Sequence, residues 1–123
     1  MEGRTVIITG SNRGIGKVTA MEIAKRGARI ILACRNLETA EKIQEEIIDE
    51  TKNRNVVVKK LDLSSQKSIR EFAADINKTE SRLDVLLHNA GIMNRHIEKT
   101  EDNLELTMAT NHFGPFLLTY LLI

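Results

Sequence analysis

Thr9-Gly10-Ser11-Asn12-Arg13-Gly14-Ile15-Gly16 decides how this chain is read. It follows Thr5-Val6-Ile7-Ile8, a β-branched run with the character of a buried strand, and it precedes a stretch of helical period. Three glycines between a strand and a helix make a turn whose backbone a ligand can approach closely. The helix behind the turn offers free N–H groups and the positive end of its dipole, which suits a dense anion such as a pyrophosphate. The spacing is Gly-x-x-x-Gly-x-Gly, not the Gly-x-Gly-x-x-Gly of the common dinucleotide fingerprint. A P-loop is excluded. Counted back from Gly16-Lys17, its first glycine falls on Ser11, and the Ser or Thr after its lysine falls on Val18.

Strand and helix patterns alternate on either side of this turn. Ile15, Val18, Met21 and Ile23, with small Ala20 and Ala24, predict a packed helix over 15–26, stopped by Gly27. Arg29 to Cys34 reads as a second strand. Leu37 to Glu50 reads as a second helix with Leu37, Ala40, Ile43 and Ile47 on its apolar face. Val56 to Leu61 is a third strand, and Ser64 or Ser65 is placed to cap a third helix striped by Ile69, Phe72, Ala73 and Ile76. Leu83 to Leu87 is a fourth strand, followed by a polar loop and a last apolar segment, Thr110 to Ile123. Apolar strands separated by helices predict a parallel sheet covered on both faces. The expected fold class is α/β, a doubly wound (Rossmann) sheet of about four strands in one domain over 1–123.

Bulk composition narrows the partners. With 18 basic and 17 acidic residues the formal charge is +1, which gives no reason to expect nucleic acid or an anionic membrane as the main partner. The single cysteine, Cys34, cannot form an internal disulfide and reads as a small buried side chain in a reducing compartment. His88, His96 and His112 lack metal-ligand spacing, so no metal is expected. The start at Met1 shows no signal-peptide pattern, and no window approaches the roughly 20 apolar residues of a membrane span.

The end of the second strand bears on cofactor choice. Folds that prefer NAD place a carboxylate there for the ribose 2′-hydroxyl. Here the strand ends Ala33-Cys34-Arg35-Asn36 with no carboxylate. Arg35, with Arg13 in the turn, can instead pair with a 2′-phosphate, so NADP is expected over NAD. The missing carboxylate also disfavours a methyltransferase with a similar half-fold.

These residues resemble the classical short-chain dehydrogenase/reductase family. Thr9-Gly10-x-x-x-Gly14-Ile15-Gly16 is similar to its cofactor motif, and Asp62-Leu63 to its adenine-contacting pair. Asn89-Ala90-Gly91 is similar to its Asn-Ala-Gly motif, and Asn111 to its active-site asparagine. The wording around Gly10–Lys17, Ala33–Arg35 and Asn111–Thr119 is closest to the retinol dehydrogenase and WW-domain oxidoreductase branch. The resemblance implies cofactor contacts from Gly10, Ser11, Asn12, Arg13, Gly14, Ile15, Gly16, Arg35, Asn36, Asp62, Leu63, Asn89, Ala90 and Gly91. It implies that Asn111 organises the water and lysine of a proton relay. Read without the family, Asp62 is a turn or cap residue, Asn89-Ala90-Gly91 a turn, and Asn111 a helix cap.

The resemblance also implies an NADP-dependent oxidoreductase of alcohols or carbonyls, with retinol or another lipophilic compound as candidate substrate. The family's catalytic Ser and Tyr-x-x-x-Lys have no counterpart here; Tyr120 is followed by Leu121, Leu122 and Ile123 and reads as a packing residue. The chain is therefore expected to be the cofactor-binding part of such an enzyme. The alternative is a catalytically silent isoform that binds cofactor or a partner. A sheet edge left open at the fourth strand and an under-covered last helix predict an exposed apolar patch and self-association. Cytoplasmic residence is the default expectation, or the endoplasmic reticulum membrane if a longer parent carries an anchor.

Overall fold

The computed structural model describes residues 1–123. The chain forms two compact units, Met1–Lys60 with Arg82–Asn89, and Leu61–Ser81 with Ala90–Ile123.

The first unit holds the sheet. Strands β1 (Thr5–Thr9), β2 (Arg29–Cys34), β3 (Val56–Lys60) and β4 (Val85–Leu87) are parallel, in the order β3-β2-β1-β4. Ile7 pairs with Ile31 on one side and with Leu86 on the other. Val6, Ile8, Ile30 and Leu32 are buried, and so are the alternate residues Ile7 and Ile31, so both faces of the central strands are covered as their apolar runs predict. The order turns back at β1: β2 and β3 lie on one side of it and β4 on the other. In a sheet of this kind such a switch opens a crevice at the carboxyl ends of the strands. The glycine turn begins there, directly after Thr9.

Helices α1 (Gly14–Lys25) and α2 (Leu37–Thr51) pack on one face of this sheet, on Val6, Ile8, Ile30, Leu32 and Val56. The packed face of α1 differs from the expected one. Gly16, Ala20 and Ala24 are buried, while Ile15 and Val18 are 80% and 63% exposed. Small residues at i, i+4 and i+8 bring the helix backbone close to the strands, and the large side chains are turned away. In α2, Ala40 and Ile47 are buried and Ile43 partly so, but Leu37 at the first position is exposed. β3 is an edge strand with Lys59 and Lys60 at its end, a composition that discourages further pairing.

β4 is shorter than its apolar run suggests because Asp84 intervenes. The Thr5 N–H donates to the Asp84 carboxylate at 2.8 Å, while the Asp84 N–H donates to the Thr5 carbonyl at 2.9 Å. A side chain thus takes one of the bonds that the strand ladder would make. Arg82 and Arg4 also donate to this carboxylate, whose side chain is only 8% exposed.

The second unit is helical. α3 (Gln66–Thr79) is capped by Ser65, whose side chain accepts from the Ser68 N–H, and buries the expected stripe of Ile69, Phe72, Ala73 and Ile76. A continuous helical run follows the loop: α4 (Leu106–Met108), a π-helical segment (Ala109–Phe113) and α5 (Gly114–Leu122). α3 and α5 pack on each other, with Gly114 and Leu118 buried and Asn77 Nδ2 donating to the Leu121 carbonyl at 3.2 Å. The outer stripe of the run is bare. Phe113, Phe116 and Tyr120 are 44%, 69% and 72% exposed, so Tyr120 is not the packing residue its surroundings suggested. α5 carries no charged residue.

Two outcomes are expected. The Arg82 guanidinium and the Thr5 N–H hold the Asp84 carboxyl below the usual carboxylate range, at about 2. Because the folded-state value is depressed, the stabilisation is complete above the unfolded-state value of about 4 and is lost as pH falls toward 2. Thermal melts should therefore show wild type above Asp84→Asn from pH 5 to 7, with the gap closing between pH 4 and 2. The bare stripe should drive association. Sedimentation at tens of micromolar should show species heavier than the monomer, and Phe116→Glu with Tyr120→Glu should return the chain to monomer.

Candidate cofactor site

In the first unit the turn after β1 is built by its glycines and by one distant side chain. Gly10 and Gly14 have φ of +63° and +55°, in the left-handed region that favours glycine. The Gly10 N–H donates to the Ala33 carbonyl at 3.0 Å, which ties the turn to the end of β2. Ser11 is fully buried; its hydroxyl donates to the Ile8 carbonyl at 3.0 Å and shares a hydrogen bond with Cys34 Sγ at 3.4 Å. Burial pushes the Cys34 thiol up, so this cysteine is a protonated packing residue, as expected. Asn89, at the end of β4, closes the turn. Its Nδ2 donates to the carbonyls of Thr9 at 3.0 Å and Gly10 at 3.1 Å, and its N–H donates to Thr9 Oγ1 at 3.0 Å.

α1 starts with its N–H groups free. No side chain caps it and no acid lies in its first turn, whereas Asn36 caps α2 with Glu38 in the first turn. The first N–H of α1 to reach a carbonyl is that of Lys17, on Arg13 at 3.2 Å. Gly16 allows the turn to lie against the helix: a Cβ there would strike Asn89 Nδ2 and would sit 2.6 Å from the Gly10 carbonyl. Arg13, Arg35 and Asn36 are exposed at this end of the sheet, and Ile15 stands out beside them. Neither arginine side chain has a hydrogen-bond or ion-pair partner within the chain. The Asn36 oxygen is engaged as the α2 cap, accepting from the Thr39 N–H at 3.2 Å.

The second unit carries the other motif residues. Asp62 Oδ1 accepts from the Ser64 N–H at 2.9 Å and from its hydroxyl at 2.6 Å, a turn that delivers Ser65 to the start of α3. Leu63 is buried, and its carbonyl lies where a Cβ on Gly114 would be. Gly91 is exposed and has no positive φ. A Cβ there would meet nothing nearer than Asn111 Oδ1 at 3.6 Å, so the fold itself does not require glycine at this position.

Asn111 does not cap a helix. It lies inside the helical run, in the π segment, where its side chain binds one peptide unit from both sides. Oδ1 accepts from the Ile92 N–H at 2.8 Å, and Nδ2 donates to the Ile92 carbonyl at 2.7 Å. Pro115 stands four residues on and has no N–H, so the Asn111 carbonyl lacks the donor that an α-helix would give it. Single π-helical turns within a helix recur at functional sites, where they re-aim backbone groups. The proline was visible in the sequence and is the signal that marks this carbonyl; the Ile92 contact had none.

The family model for short chain dehydrogenases matches residues 4–123. The chain belongs to that family. It is 53% identical to human retinol dehydrogenase 13 over 98% of its own length and 37% of that protein's. It is 50% identical to human retinol dehydrogenase 11 over its whole length and 39% of that protein's. A crystal structure of a Mycobacterium paratuberculosis protein superposes with a TM-score of 0.85 at 42% identity, over 98% of this chain and 42% of that one. A short-chain dehydrogenase of Escherichia coli CFT073 complexed with NADPH superposes with a TM-score of 0.84 at 30% identity, over 99% of this chain and 52% of that one. The chain thus spans about two fifths of the length of the curated relatives it matches. Its fold is the Rossmann-like fold of these structures. No helix in it is long and apolar enough to cross a membrane.

Gly16→Ala tests the close approach of turn and helix. Alanine is the better helix former, but the Cβ has no room. The variant should lose about 1–3 kcal/mol of stability, read as a lower urea midpoint. An unchanged midpoint would mean that the turn moves aside at little cost.

Proposed function

We propose that this chain binds NADP(H) through the turn Gly10–Gly16 and is the cofactor-binding part of an oxidoreductase of alcohols or carbonyls. The observation that carries the reading is the uncapped start of α1 behind a turn with glycines at positive φ, beside two arginine side chains without partners and a β2 end that carries no carboxylate. The N–H groups of Gly14, Ile15 and Gly16 suit the pyrophosphate. Arg13 and Arg35 suit a 2′-phosphate, which a carboxylate at the end of β2 would repel. By family motif, Asn36, Asp62, Leu63, Ala90 and Gly91 add contacts, and the space before Gly91 suits close approach of a ligand. The nicotinamide supplies the hydride chemistry when bound.

Asn89 holds the turn in shape rather than facing the ligand with its amide. Asn111 presents its backbone carbonyl, which Pro115 deprives of its α-helical donor, to a water of the proton relay, while its side chain fixes Ile92. The similarity to retinol dehydrogenases favours a lipophilic substrate such as a retinoid for an enzyme that contains this part. These 123 residues include no Tyr-x-x-x-Lys. The second reading follows from that: the chain alone binds cofactor, or a partner, without turnover.

Titration with NADPH and NADH tests the proposal. The chain should bind NADPH the more tightly. Arg35→Asp should weaken NADPH by about tenfold or more, the scale of a lost charge-assisted pair, and leave NADH unchanged or improved. An unchanged preference sinks the role of Arg35. A reductase assay with broad carbonyl substrates should show no turnover by these residues alone.

A further inference from the structure

We propose that Thr39 is a positioning residue that holds the two arginine-bearing segments in register for a 2′-phosphate. The inference rests on the cofactor reading given above. Arg13 follows Asn12 in the glycine turn, and Arg35 precedes Asn36 at the start of α2. Both arginines are exposed and unpaired, so only the backbone that carries them fixes where their guanidinium groups can reach.

Thr39 joins those two stretches of backbone. Its hydroxyl donates to the Asn36 carbonyl at 3.4 Å and accepts from Asn12 Nδ2 at 3.4 Å. One hydroxyl has a proton to give and lone pairs to receive, so both bonds form together. Its N–H is at the same time held by Asn36 Oδ1 at 3.2 Å. The Gly10–Ala33 and Ser11–Cys34 bonds tie the two segments at the sheet, and the ion pairs Lys17–Glu46 at 2.8 Å and Lys25–Glu50 at 3.8 Å join α1 to α2 further along; between them, the Asn12–Thr39 bond links the two loops next to the arginines. A cofactor without the 2′-phosphate does not sample the spacing of the arginines. Loss of the bridge therefore falls on NADPH and spares NADH, which separates positioning from a general effect on folding.

The experiment measures dissociation constants of NADPH and NADH for wild type, Thr39→Val, Thr39→Ala and Thr39→Ser, by cofactor fluorescence and equilibrium dialysis. Removing one neutral hydrogen-bonding hydroxyl should weaken NADPH by about three- to tenfold in the Val and Ala variants, with NADH unchanged. Thr39→Ser keeps the hydroxyl and should behave as wild type. If wild type prefers NADPH and both Val and Ala keep that preference, the role of Thr39 is overturned while the cofactor reading stands. Equal weakening of both cofactors also overturns it, in favour of a purely structural role. If wild type itself shows no preference for NADPH, the 2′-phosphate reading falls first, and the inference with it.

Discussion

Where α1 meets the loop after β1, backbone lies against backbone, and there is no volume for a side chain at position 16. That contact sets the direction in which α1 leaves the sheet. It also sets which residues α1 can bury: Gly16, Ala20 and Ala24 continue the same narrow face. The helix start is thereby aimed at the crevice beside β1 with its N–H groups uncommitted. A bulkier face would lift α1 from the sheet and carry its positive end away from the carboxyl ends of the strands.

Two asparagines secure the irregular parts of the chain by the same chemistry. A carboxamide carries a donor and an acceptor on one planar group, as a peptide does, and can replace a missing backbone partner. Asn89 gives its N–H groups to two successive carbonyls of the turn. Asn111 exchanges both kinds of bond with a single residue, Ile92, much as a neighbouring strand would. Aspartate has the shape but no donor, and leucine has a similar branched outline but neither donor nor acceptor, so the requirement at both positions is chemical rather than steric.

Much of this was legible in the sequence. The strands were legible because β-branched runs flanked by turn residues have few other uses, and α3 because its large apolar residues fall on one stripe. α1 misled for a physical reason. Periodicity weights large side chains, so Ile15 and Val18 outweighed Gly16, Ala20 and Ala24, which do the packing. The length of β4 was hidden because an aspartate side chain stands in for a ladder bond. The glycine spacing was legible because positive φ and missing volume both leave glycine as their trace. Thr39 was not, since its role depends on a partner 27 residues away. Asn111 could be located by motif, but its bond to Ile92 depends on how the preceding loop folds back.

The clasp between Asn89 and the turn has a consequence for how the chain matures during synthesis. The side chain that holds the Thr9 carbonyl emerges from the ribosome 80 residues after Thr9 itself. β1, α1 and β2 can assemble from neighbours near in sequence, whereas the turn awaits a partner of high sequence separation. A nascent chain stopped short of Asn89 would have the sheet's first strands and the glycines, but the loop between them would still be unfastened.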